Sequence, residues 1–129
     1  IACPINYLLS EEHIADLPQA ASLNVLVALG PRPELDIWSL VAGIRRRCLQ
    51  LTHVLAVGAM APTEGALDFD QAVAAQSDAP LPARAAMDDV AALFDTGGTT
   101  GSPKLAQHQH RNQLCAAARP ACTARRSAT

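Results

Sequence analysis

The chain has 129 residues, room for one domain of ordinary size. Half of it is hydrophobic, yet Tyr7, Trp38, Phe69 and Phe94 are its only aromatic residues, so any core is built from small side chains and is thin. A net charge of −2 argues against bulk electrostatic binding to nucleic acid or an anionic membrane, and no run of about eighteen apolar residues is present to span a bilayer.

The first stretch, "IACPINYLL", is apolar and strand-like and carries no initiator methionine. "SEEHIADL" predicts a short helix capped by Ser10 that ends or kinks at Pro18. His13 falls in its first turn and reads as a surface residue rather than a ligand. "NVLVAL" is a short β-branched run closed by "GPRP", the pattern of a buried strand. In "ELDIWSLVAGIRRRC", Ile37, Leu40, Val41, Ile44 and Cys48 recur on one helical face. Asp36 is the natural N-cap, and Arg45, Arg46 and Arg47 complement the helix C-terminus, a structural use of the triple arginine. "THVLAVG" supplies another strand. The resulting β-α-β-α-β alternation predicts an α/β fold, part of a mostly parallel, helix-covered sheet.

Residues 60–87 read as an extended connector with one helix around "DFDQAVAAQ". "DDVAALF" regains strand character and runs straight into a glycine-rich stretch, after which "KLAQH" can pair back. "HRNQLCAAA" reads as a helix stopping at Pro120, and "ARPACTARRSAT" has no periodicity and is expected to be disordered. The acids crowd into Glu64 to Asp89, whereas Arg111 to Thr129 holds four arginines and no acid, a pattern read as a solvated tail. Cys3, Cys48, Cys115 and Cys122 form neither a C-x-x-C pair nor a zinc-finger spacing, so reduced thiols in a cytoplasmic protein are expected.

The chemistry concentrates in "TGGTTGSPK", Thr96 to Lys104. A phosphate-binding loop needs exposed backbone N–H groups, hydroxyl donors and a cation, and this stretch holds all three. Its cation, Lys104, is the only lysine in the chain. The loop is not a Walker A sequence, because Pro103 separates Gly101-Ser102 from Lys104, and its glycine spacing fails the dinucleotide G-x-G-x-x-G pattern. Composition alone leaves two readings open: a polyphosphate cradle between two strands, or a flexible hairpin turn.

The twelve residues "LFDTGGTTGSPK", Leu93 to Lys104, match throughout the AMP-binding signature of the adenylate-forming superfamily. The flanking "LAQHQHRNQ" and "CPINYLLSEEHIADL" also resemble segments of the AMP-forming acyl-CoA synthetases in that superfamily, so the similarity covers Ile1 to about Gln113. The resemblance implies a partial N-terminal AMP-binding domain over residues 1–113, with 114–129 an atypical tail expected to be disordered. It also implies a ligation in which a carboxylic acid and ATP, usually with Mg²⁺, form an acyl-adenylate that coenzyme A converts to a thioester. In that scheme Thr96, Thr99, Thr100 and Ser102 donate hydroxyls, Gly97, Gly98 and Gly101 allow close approach, Pro103 stiffens the exit and Lys104 supplies charge. His108 and His110 would sit near the substrate or nucleotide. Two imidazoles two apart on a strand can also grip an ion, but no third ligand accompanies them and no metal site is expected.

The departures from the family matter equally. The later aromatic-Gly-x-Thr-Glu segment, the ribose-binding Asp and the lysine of the small C-terminal domain have no counterpart; with Lys104 in the loop, no lysine remains for adenylation. The expectation is a fragment of a longer synthetase, with the remainder of the chain missing, no catalytic residue in this segment and no activity of its own. An adenylation domain serving a carrier protein, or a remnant with weak or no nucleotide binding, are the alternatives.

Overall fold

The computed structural model describes residues 1–59, 63–81, 84–96 and 103–124, the last six as backbone only. Helix α1 (Glu11–Ala20) begins where expected: Oγ of Ser10 accepts the His13 N–H at 3.3 Å, and Glu11 and Glu12 meet the positive end of the helix dipole. It does not stop at Pro18. Proline removes only its own donor, and the N–H groups of Ala21, Ser22 and Leu23 still reach the carbonyls of Leu17, Gln19 and Pro18. The last two of these bonds form a Schellman closure, with Ser22 at φ 52 in the position that usually takes glycine.

Strand β1 (Val25–Leu29) is joined to β2 (His53–Val57) through helix α2 (Trp38–Arg47), and the two strands pair in parallel from Val25–His53 to Leu29–Val57. This is one βαβ unit, the parallel pairing expected from the alternation. The assigned boundary of α2 is Ile37, but the capping side chain is Asp36, whose Oδ1 accepts the Ser39 N–H at 3.0 Å. A two-residue strand β3 (Leu67–Asp68), which the connector reading omitted, adds to β2 in parallel. Asp68 also caps helix α3 (Phe69–Ala74) by accepting the Gln71 N–H at 2.9 Å.

Alternation along these strands creates two unlike faces. Leu26 and Val54 point to the side covered by α1 and α2, where they form one core with Ile14, Val41, Ile44 and Cys48. On the other side Val27, Leu55 and Leu67 form a row across the sheet, and Val27 and Leu67 remain about half exposed (51% each). Helix coverage by α1 and α2 is therefore one-sided. Arg47 pairs with Asp16 across the α1–α2 junction, consistent with a structural role for the arginine run.

A second sheet is built from β4 (Val90–Asp95) and β5 (Leu105–Gln109), antiparallel, with an irregularity between Val90 and Ala92. The N-terminal stretch joins the free side of β4 through one parallel bridge: the Ala2 N–H reaches Ala91 at 2.9 Å and the Leu93 N–H reaches Ala2 at 2.8 Å. Helix α4 (His110–Ala124) follows directly and continues through Pro120, past the expected stop. Of residues 114–129, set apart by sequence as an atypical tail, 114–118 are helical as the "HRNQLCAAA" pattern predicts, and the helix runs on through 124; 125–129 lie outside the described residues. Among the described residues no helix is long and apolar enough to cross a membrane.

Candidate functional site

The glycine-rich stretch begins and ends on the β4–β5 hairpin. Thr96 follows the last residue of β4 and Lys104 precedes the first residue of β5, so strand pairing brings the two ends together. Both the backbone N–H and the hydroxyl of Thr96 donate to the Lys104 carbonyl, each at 3.0 Å. The single hydroxyl proton of Thr96 is committed to this neck. Gly97, Gly98, Thr99, Thr100, Gly101 and Ser102 lie outside the described residues. Pro103 is half-buried at the exit, and Lys104 is exposed, with no carboxylate in ion-pair range among the described residues.

Strand alternation places Ala92, Phe94, Ala106 and His108 on one face of the hairpin and Leu93, Asp95, Leu105 and Gln107 on the other. On the first face the His108 ring packs against Phe94, with centroids 4.8 Å apart and planes inclined by 59°. Nδ1 of His108 also lies 3.3 Å from Nε2 of Gln113, one turn into α4. His110 does not share that strand face: it opens α4, and its backbone N–H reaches the Asp89 carbonyl at 3.1 Å. The two histidines therefore belong to different elements. Among the described residues no group of three or more His, Cys, Asp or Glu is placed to hold a metal ion.

Besides the His110–Asp89 bond, three contacts hold the start of α4 in place. Asn112 Oδ1 accepts the Gln109 N–H at 2.8 Å, a reciprocal capping bond of the kind that fixes a helix start. Arg111 donates its backbone N–H to Met87 and pairs its guanidinium with Asp88. The Gln113 side chain beside His108 is consequently presented by a fixed helix end.

On the second face lies a pair the sequence analysis missed. Nε2 of His13 is 3.1 Å from Oδ2 of Asp95, and their side chains are only 19% and 13% exposed. A carboxylate only accepts, so this ring nitrogen carries the hydrogen. Oδ1 of Asp95 is buried and has no hydrogen-bond partner among the described residues. Cys3 sits within the same electrostatic neighbourhood: burial, and secondarily the Asp95 charge, push its thiol above the ordinary range. His13 is therefore no surface residue. Its partner is 82 positions away, a separation that no spacing rule connects. The available signal was Asp95 itself, an acid closing the apolar run "VAALF".

Comparison with known proteins bears on the family of the chain. A sequence model of the AMP-binding enzyme family matches residues 1–128, beyond the Gln113 limit of the resemblance. The marinolic acid–CoA ligase of Pseudoalteromonas sp. (strain SANK 73390) is 27% identical over 116 residues, covering 88% of this chain and 17% of that protein. The crystal structure of the anthranilate CoA ligase AuaEII in complex with anthranoyl-AMP superposes with a TM-score of 0.73 at 28% identity, covering 86% of this chain and 20% of the other. The chain thus spans about a fifth of the length of these relatives. With the family matched over nearly every residue and the α/β fold shared with a CoA ligase, the chain belongs to the AMP-binding enzyme family.

Proposed function

We propose that this chain carries the ATP phosphate-binding loop of an AMP-forming acid–thiol ligase, a CoA ligase in particular. The observation that supports it most is the neck: Thr96 and Lys104 are hydrogen-bonded across the hairpin, so the two ends of the glycine-rich stretch meet, with its cation at the exit. The relatives' names, both CoA ligases, favour coenzyme A over a carrier protein as the thiol partner.

In the proposed reaction a carboxylate attacks the α-phosphate of Mg·ATP and expels pyrophosphate, leaving an acyl-adenylate that a thiol then cleaves. The loop's part is to hold the phosphates that leave. Backbone N–H groups at Gly97, Gly98 and Gly101 and hydroxyls at Thr99, Thr100 and Ser102 would donate to phosphate oxygens, and the Lys104 ammonium would offset the charge that develops as the bond breaks. Thr96 serves the neck with its hydroxyl, and Pro103 restricts the backbone before the lysine. His108 lies on a hairpin face beside Phe94, two residues before the start of α4, a place from which it would border the acyl or nucleotide site.

Adenylation itself is assigned to residues outside this chain, since its only lysine is in the loop. The isolated chain is expected to bind ATP or pyrophosphate without catalysing ATP–pyrophosphate exchange. Amine-directed labelling tests the binding, because a single lysine gives an unambiguous side-chain product. Protection of Lys104 by saturating pyrophosphate supports the proposal; undiminished labelling overturns it, and measurable exchange by the isolated chain overturns the assignment of catalysis elsewhere.

A further inference from the structure

We infer that His13 and Asp95 form a positioning pair that anchors the end of β4, and with it the Thr96 donors of the loop neck, to helix α1. The bearing of this pair on phosphate binding rests on the function proposed above.

Asp95 is the last residue of β4 and the immediate neighbour of Thr96. The Asp95 side chain is 13% exposed, yet among the described residues His13 is the only hydrogen-bond partner of its carboxylate, and Oδ1 has none. Among the described residues His13 is thus the one donor that meets this carboxylate, and its loss leaves a mostly buried acceptor without a partner there. His13 is well suited to hold it. Ile14 and Leu17, on the same helix, are 3% and 0% exposed, and Ser10 caps the turn that carries the ring. Helix α1 is therefore fixed to the first sheet through the core, whereas β4 belongs to the second. The His13–Asp95 contact ties that core to the strand end from which the loop departs.

A pair that merely stabilises the fold would, when broken, loosen every element together. A pair that positions the neck loosens Thr96 first, and this difference can be read residue by residue. In the ligand-free full chain, His13→Ala should raise amide hydrogen exchange at Thr96 by about tenfold, the loss expected for one charge-assisted hydrogen bond, with Val54 and Ala56 changed less than about twofold. His13→Gln, which keeps a donor on a long side chain, should return Thr96 to within about threefold of the parent. In the labelling assay the pyrophosphate concentration giving half-protection of Lys104 should rise about tenfold in His13→Ala and recover in His13→Gln.

Unchanged Thr96 exchange in His13→Ala overturns the inference, as does a parallel rise at Val54 and Ala56 or a failure of Gln to rescue. Should His13→Ala lose its core, His13→Asn, polar but too short to reach Oδ2, carries the same comparison; loss of the core in both also overturns it. Absence of pyrophosphate protection in the parent chain counts against the proposed function alone, because the exchange measurement needs no ligand.

Discussion

Thr96 donates twice to one acceptor: its N–H and its hydroxyl both reach the Lys104 carbonyl at 3.0 Å. The hydroxyl cannot give the same proton to a phosphate while it closes the neck. Thr96→Val should therefore act on stability, lowering it by about 0.5–1 kcal/mol for one exposed hydrogen bond, whereas Thr96→Ser should be nearly neutral. Urea midpoints measure this, and lost pyrophosphate affinity at unchanged midpoint would instead place the hydroxyl on the ligand.

Ser22 supplies a second test, independent of any ligand. Its φ of 52 holds a side chain in the left-handed region at the end of α1, where the Cβ crowds the following carbonyl at a cost of about 1–2 kcal/mol. Glycine relieves that strain and loses part of the gain through a freer unfolded chain. Ser22→Gly should raise stability by about 1 kcal/mol and the melting temperature by about 4 °C. Calorimetry checks it; a lower melting temperature would mean that the Ser22 side chain makes a contact of greater value.

The thiols predict a pH dependence. Burial raises Cys3, with Asp95 adding to the shift, and burial also raises Cys48, partly offset by a backbone hydrogen bond from Leu51. In both cases the folded chain keeps a proton that the unfolded chain releases. Stability from these groups is thus complete below the ordinary thiol pKa and falls as the pH climbs from there towards the raised folded value. Urea midpoints should decline from pH 8 to pH 10, about the range in which free thiols ionise, and Cys48→Ala should flatten part of that decline. At neutral pH iodoacetamide should modify exposed Cys115 well before Cys48, whose side chain is buried in the core.

How far the sequence carries the reader depends on the range of the forces involved. Strands β1, β2, β4 and β5 and helix α2 are legible because runs of apolar residues with the right period, bounded by turn residues, are local signals. The connector hid β3, because two residues carry no period; their pairing with Leu55 and Ala56 makes them a strand. Pro18 and Pro120 misled the reading of helix ends for a related reason. A proline's lost hydrogen bond is local, but the burial of Leu17 and Pro18 and the Schellman closure at Ser22 outweigh it in α1.

The loop divides in the same way. The order of its residues, within the signature Leu93 to Lys104, carried by itself the resemblance to the superfamily and showed what the stretch offers: small residues, hydroxyls and a single cation. Only the tertiary structure decided which of those groups is already engaged, because the Thr96–Lys104 bond exists through antiparallel pairing of β4 with β5. The same holds for His108 and His110, adjacent by spacing and separated by the strand-to-helix boundary at Gln109. It holds most clearly for His13 and Asp95. Nothing local relates them, and only the packing of α1 beside the end of β4 removes both from water and leaves each as the other's partner.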